Sequence, residues 1–67
     1  MKVQVGTLSP GSRVTVTFKE DDYVTVGRYV VGKQVQDKSG HPLIEVRRPH
    51  EKSVYDYLEA DTVVDVS

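Results

Sequence analysis

Gly27 and Gly32 are separated by four residues, and Lys33 follows. That is the spacing of a loop that cradles phosphate with backbone N–H groups. The chemistry also needs a strand before the loop, a helix after it, and a Ser or Thr behind the lysine for Mg²⁺. Here the intervening residues Arg28, Tyr29, Val30 and Val31 are strand formers, and Gln34 follows the lysine. The two glycines therefore read as bends in a β-strand.

A second concentration of chemistry is the segment Arg47-Arg48-Pro49-His50-Glu51-Lys52. From Arg28 to Lys52 there are six Lys/Arg and three Asp/Glu; beyond Ser53 there are four acids and no base. Arg47, Arg48, His50 and Lys52 on one loop, extended by Arg28 and Lys33, have the composition of a phosphate-contacting track, with Tyr29 or Tyr57 to stack on a base. The plainer account is a solvated hairpin tip diluted by Glu45 and Glu51. Whole-chain charge, nine basic against ten acidic side chains, argues against a general polyanion binder.

Other groups offer less. Glu20, Asp21 and Asp22 are adjacent and lack the alternating ligand spacing of a calcium loop. His41 and His50 come without a ligand cluster, and there is no cysteine, so neither a thiolate zinc site nor a disulfide is expected. No serine sits in a nucleophile context, and no pair of carboxylates is singled out. The sequence gives no catalytic residue, no metal and no cofactor. The expectation is a non-enzymatic protein.

The elements that position these residues follow from pattern. The chain is rich in valine and threonine and has one alanine, a composition suited to pleated, half-buried surfaces. Pro10-Gly11 marks a turn. Val14, Val16 and Phe18 then alternate with Arg13, Thr15, Thr17 and Lys19, which predicts a strand with one buried face. Tyr23 to Gln36 is a second, long β segment. With Val24 and Val26 facing inward, a bulge at Gly27 would bring Tyr29 and Val31 inward and keep Arg28 out, and Gly32 would bend the strand again. Residues 37–42 form a hairpin loop with Gly40 at positive φ. Leu43 to Val46 is the next strand. Val54 to Tyr57 reads as another, because Val, Tyr and Asp are weak helix formers, with a single helical turn as its rival from the capping-box-like spacing of Ser53 and Asp56. Residues 58–61 are a tight turn, and Thr62 to Val66 a last strand to which Lys2–Val5 can pair.

Sixty-seven residues make one small domain near the lower size limit of independent stability. Five to six short antiparallel strands, strongly bent, are expected to close into a small all-β barrel, since closure removes exposed edges. The turn ending in Pro10-Gly11-Ser12-Arg13-Val14, the bent glycine-containing second strand and the short terminal strand resemble the Src-homology-3-like and Sm-like class of small barrels. The likeness covers most of the chain and is one of pattern. It implies a fold class. Val54-Tyr55-Asp56-Tyr57 also resembles the Leu-Tyr-Asp-Tyr signature of Src-homology-3 domains, which implies Tyr55 and Tyr57 as groove residues for proline-rich peptides.

The functional expectation is a binding module, an accessory or regulatory protein that docks on a larger protein partner through Tyr29, Tyr55, Tyr57, Arg47 and Arg48, residue types favoured at interface hot spots. The alternative is an Sm-like RNA- or DNA-binding module using Arg28, Lys33, Arg47, Arg48, His50 and Lys52. Self-association through edge strands fits either. The N-terminal segment lacks the apolar run of a signal peptide and no stretch suits a membrane span, so a cytoplasmic protein is expected.

Overall fold

The computed structural model describes residues 1–51 and 53–67. Six strands, β1 (Lys2–Gln4), β2 (Arg13–Lys19), β3 (Val24–Gln36), β4 (Pro42–Arg47), β5 (Asp56–Glu59) and β6 (Val63–Val66), form one antiparallel sheet in the order β1-β6-β2-β3-β4-β5. A 3₁₀ turn at Val5–Thr7 is the one helical element among the described residues.

β-Branched residues at alternate positions drive the assembly. Val14 and Val16 of β2, Tyr29 and Val31 of β3, Ile44 and Val46 of β4 and Val64 of β6 point to one side of the curled sheet and are buried. Val5 of the 3₁₀ turn is fully enclosed among them, and Val3, Leu8, Leu58 and Ala60 pack around the rim. All eight buried residues are apolar or aromatic, so little desolvation opposes their burial.

Turn chemistry sets the registers. Pro10 and Gly11, with Gly11 at φ 95°, complete a turn in which Ser12 N–H donates to the Ser9 carbonyl at 3.2 Å. This is the conformation that proline at the second and glycine at the third position favour. Gly40, at φ 86°, closes the β3–β4 hairpin, its N–H donating to the Asp37 carbonyl at 3.0 Å.

Strand β3 departs from the expected geometry. β2 and β3 pair without interruption from Arg13↔Val30 to Lys19↔Val24, so there is no bulge at Gly27. The irregularity lies further on, between Val31 and Gln34, where β3 has one residue more than β4. Thr25, Gly27, Tyr29 and Val31 therefore share the inner face, while Val24 and Val26, expected inside, are each 60% exposed on the outer face beside Arg28. The reason is the ring of Tyr29. A Cβ on Gly27 would lie 2.7 Å from Tyr29 Cε2, so the glycine is the space into which the aromatic ring folds along its own strand. Phe18 meets the same ring edge-on, with centroids 6.4 Å apart and planes at 75°, a favoured aromatic geometry.

The remaining differences are local. The fifth strand begins at Asp56 and runs to Glu59, later than Val54–Tyr57, and the tight turn shifts to residues 59–62, with Thr62 N–H donating to the Glu59 carbonyl at 2.9 Å. β1 pairs with β6 as expected, Val3 opposite Val64. The sheet itself is not closed, because β1 and β5 end the strand order without pairing to one another. The 3₁₀ turn spans the opening instead: Val5 N–H donates to the Thr62 carbonyl and Gly6 N–H to the Ala60 carbonyl, each at 2.8 Å.

That bridge requires glycine. A Cβ on Gly6 would sit 2.8 Å from both the Cβ and the carbonyl oxygen of Ala60, and the backbone oxygen cannot move without breaking the hydrogen bond it accepts. Gly6→Ala is expected to lower stability by about 1–3 kcal/mol, measured as a reduced urea midpoint with an unchanged slope.

Candidate functional site

The alternation of β4 divides the arginine-rich segment between two faces. Val46 is buried on the inner side, so Arg47 points outward and Arg48, just past the strand, returns to the inner side. Two candidate surfaces follow.

The inner surface is a groove of about 480 Å³ lined by Phe18, residues 25–29 and residues 48–50. Its floor is aromatic, Arg48 and His50 stand at its rim, Arg28 borders it from the outer face of β3, and no acid takes part in the lining. The Tyr29 hydroxyl lies beside the Arg48 guanidinium and raises its pKa above the ordinary value, with smaller contributions from Glu51 and Asp56. Arg48 is thus a fixed positive charge at the groove mouth. Glu51 also approaches His50, Nε2 to Oε1 3.7 Å. Tyr29 itself is only 5% exposed, so its expected role as an accessible ring is corrected: the ring belongs to the core.

The outer surface is built on the β4–β5 hairpin. Glu45 is opposite Tyr57 and Val46 opposite Asp56. Tyr55, immediately before β5, falls next in line toward Arg47. Both tyrosines are exposed, Tyr55 45% and Tyr57 53%, at the edge of the sheet. Arg47 is also opposite Val30, whose other neighbour is Arg13, and Arg28 lies two residues along the same face. Arg13 did not stand out in the sequence, since it sits far from the other arginines and only the strand register brings it near. None of the four arginines forms an ion pair among the described residues.

The sequence candidates therefore do not form one site. Arg48 and His50 come together at the inner groove, which Arg28 borders from the outer face, and Arg47, Tyr55 and Tyr57 share the outer side of the hairpin. Lys33 stands exposed at the β3 irregularity, away from both, and Lys52 lies outside the described residues.

A second hollow of about 470 Å³ lies between the 3₁₀ turn and the β3–β4 loop, where Gln4, Gly6, His41 and Asp61 are among the lining residues. His41 is held there by Asp37, whose Oδ1 accepts the N–H groups of Ser39 and His41 at 2.8 and 2.9 Å and whose Oδ2 lies 3.4 Å from His41 Nδ1. The carboxylate organises the loop.

Comparison of the chain with protein-family models, curated proteins and solved structures finds no significant match. The assignment of function rests on the surfaces just described.

The His41 N–H lowers the pKa of the Asp37 carboxyl most, desolvation opposes it, and the Ser39 N–H and the His41 charge add to the lowering, so the carboxyl is held below its ordinary value of 3.8. A carboxyl depressed on folding stabilises the native state above its unfolded pKa and loses that contribution as pH falls through the folded value. The Asp37 carboxyl carbon is therefore expected to titrate by NMR below 3.8. Asp37→Ala should remove the carboxylate's share of the acid sensitivity of unfolding.

Proposed function

We propose that this protein is a non-enzymatic binding module of the Src-homology-3-like or Sm-like small-barrel class, an accessory protein that docks on a protein partner through Arg47, Tyr55 and Tyr57. One observation carries the reading. Two tyrosines, Tyr55 and Tyr57, stand about half exposed at the β5 edge of the sheet, next to Arg47. Tyrosine and arginine are among the residue types enriched at interface hot spots, because each presents large contact area and a directional polar end. Glu45, opposite Tyr57, supplies a complementary acceptor at the same face.

A second reading is favoured by the arginines. Arg28, Arg48 and His50 around an aromatic groove have the makings of a contact to an RNA or DNA backbone. The two readings use different residues and respond differently to salt. Phosphate contacts weaken steeply as salt rises, because counterions are no longer released to advantage. A tyrosine-centred protein contact is far less sensitive.

The test is affinity capture from the native host with the wild-type chain and three variants. Tyr55→Ala/Tyr57→Ala and Arg47→Ala should each weaken retention of the partner by about tenfold or more, while Arg28→Ala leaves it unchanged. Equal retention by all four proteins would refute the docking face. Nucleic-acid binding at low salt that is lost with Arg28→Ala or Arg48→Ala would install the second reading.

A further inference from the structure

Strand β3 has an open edge. β2 covers one side of it from Val24 to Val30, whereas β4 covers the other side only from Val30 onward. Between Val24 and Tyr29 the β4-facing side has no strand neighbour among the described residues.

The direction of the free groups can be read from the ladder. Glu20 N–H donates to the Tyr23 carbonyl, Val31 N–H to the Ser12 carbonyl, and Gly11 N–H to the Val31 carbonyl. Residues 23 and 31 thus aim their backbone groups at the β2 side, and by alternation so do 25, 27 and 29. Val24, Val26 and Arg28 aim theirs at the open side. Natural sheets rarely leave such an edge flat and apolar, since it is a template for another strand. Here its outward side chains include Val24 and Val26, each 60% exposed. Residues 48–50 veer away and leave the cationic groove alongside.

We propose that this edge pairs with the same edge of a second copy, antiparallel and about a two-fold axis at Thr25. In that register Val24 lies opposite the partner's Val26, and Arg28 opposite the partner's Asp22. Val24 and Val26 are positions whose N–H and C=O groups are free, so the two Val24–Val26 pairs complete ladder hydrogen bonds, while Asp22, in the hairpin bend before β3, meets Arg28 through its side chain. The two-fold repeats every contact, as an isologous interface must. Charge complementarity selects the occupant. The hairpin tip Glu20-Asp21-Asp22 is acidic, and this register carries the partner's tip to Arg28, Arg48 and His50, where the groove lining holds no acid. Valine opposite valine and aspartate opposite arginine are favourable cross-strand pairs. Pairing also hides the edge, for a chain with a small core and no disulfide.

Sedimentation equilibrium over a range of concentrations tests the proposal, with circular dichroism to show that each variant folds. The wild-type chain should follow a monomer–dimer equilibrium. Arg28→Asp and Asp22→Arg should each raise the dissociation constant by about tenfold or more, and the double variant, which exchanges the charges, should recover dimerisation. Val26→Pro removes an N–H that makes no bond within the chain's own β2–β3 ladder, and should abolish the dimer while leaving the fold. A chain that stays monomeric at millimolar concentration overturns the proposal, also where an added acidic peptide occupies the edge instead. So does a dimer indifferent to Val26→Pro. The β4–β5 docking face uses none of these residues, so failure here leaves that reading standing, and the reverse.

Discussion

Thirteen residues of β3 must serve two neighbours that are each much shorter, and the way they divide the strand governs the rest of the molecule. β2 takes the first half, β4 the second, and both flanks are paired only around Val30 and Val31. That overlap is where the core gathers. Val31 is opposite Val46, Tyr29 is opposite Val14, and Ile44 follows Val46 inward by the alternation of β4, while the irregularity just beyond Val31 takes up one extra residue in β3. Without cysteine, and with eight buried side chains, the chain has no other place to concentrate apolar contact. The open edge is a consequence of the same division.

The ends of the sheet depend on a second economy of space. β1 and β5 do not meet, and the gap is crossed by two backbone hydrogen bonds from Val5 and Gly6. Those bonds bring Val5 to the centre of the core, where it is fully enclosed. Curling the sheet enough to seat Val5 also exposes the convex side of β4–β5, so the tyrosine hairpin and the valine core have one geometric cause. Strict alternation along β4 then separates Arg47 from Arg48 and gives the protein two chemically distinct faces.

Much of this was legible in the residues. The alternation in β2, the Pro10-Gly11 turn, the Gly40 loop and the pairing of the N-terminal strand with the last one follow from local chemistry. The bend expected at Gly32 is where the irregularity of β3 lies. The bulge expected at Gly27 is absent, because that glycine instead makes room for the Tyr29 ring. The same ring, an attractive surface candidate by residue type, proves to be core. Arg13 joins Arg47 through a register set by turns far from either, and Gly6 matters because Ala60, distant in sequence, lies against it. Residue type identified the tyrosines and arginines as the chemistry of interest. Which of them share a face is a property of long-range pairing, which no local window contains.

The division of β3 is most directly tested by amide hydrogen exchange, residue by residue, in dilute solution where the chain is monomeric. Thr25, Gly27 and Tyr29, bonded to β2, should exchange slowly, while Val24, Val26 and Arg28 exchange quickly, and both parities should be protected at Val30 and Val31. Uniform protection from Val24 to Tyr29 in the monomer would mean that another part of the chain covers the edge. Uniformly fast exchange there would mean that the β2–β3 ladder does not reach the hairpin tip, and either result would contradict the account.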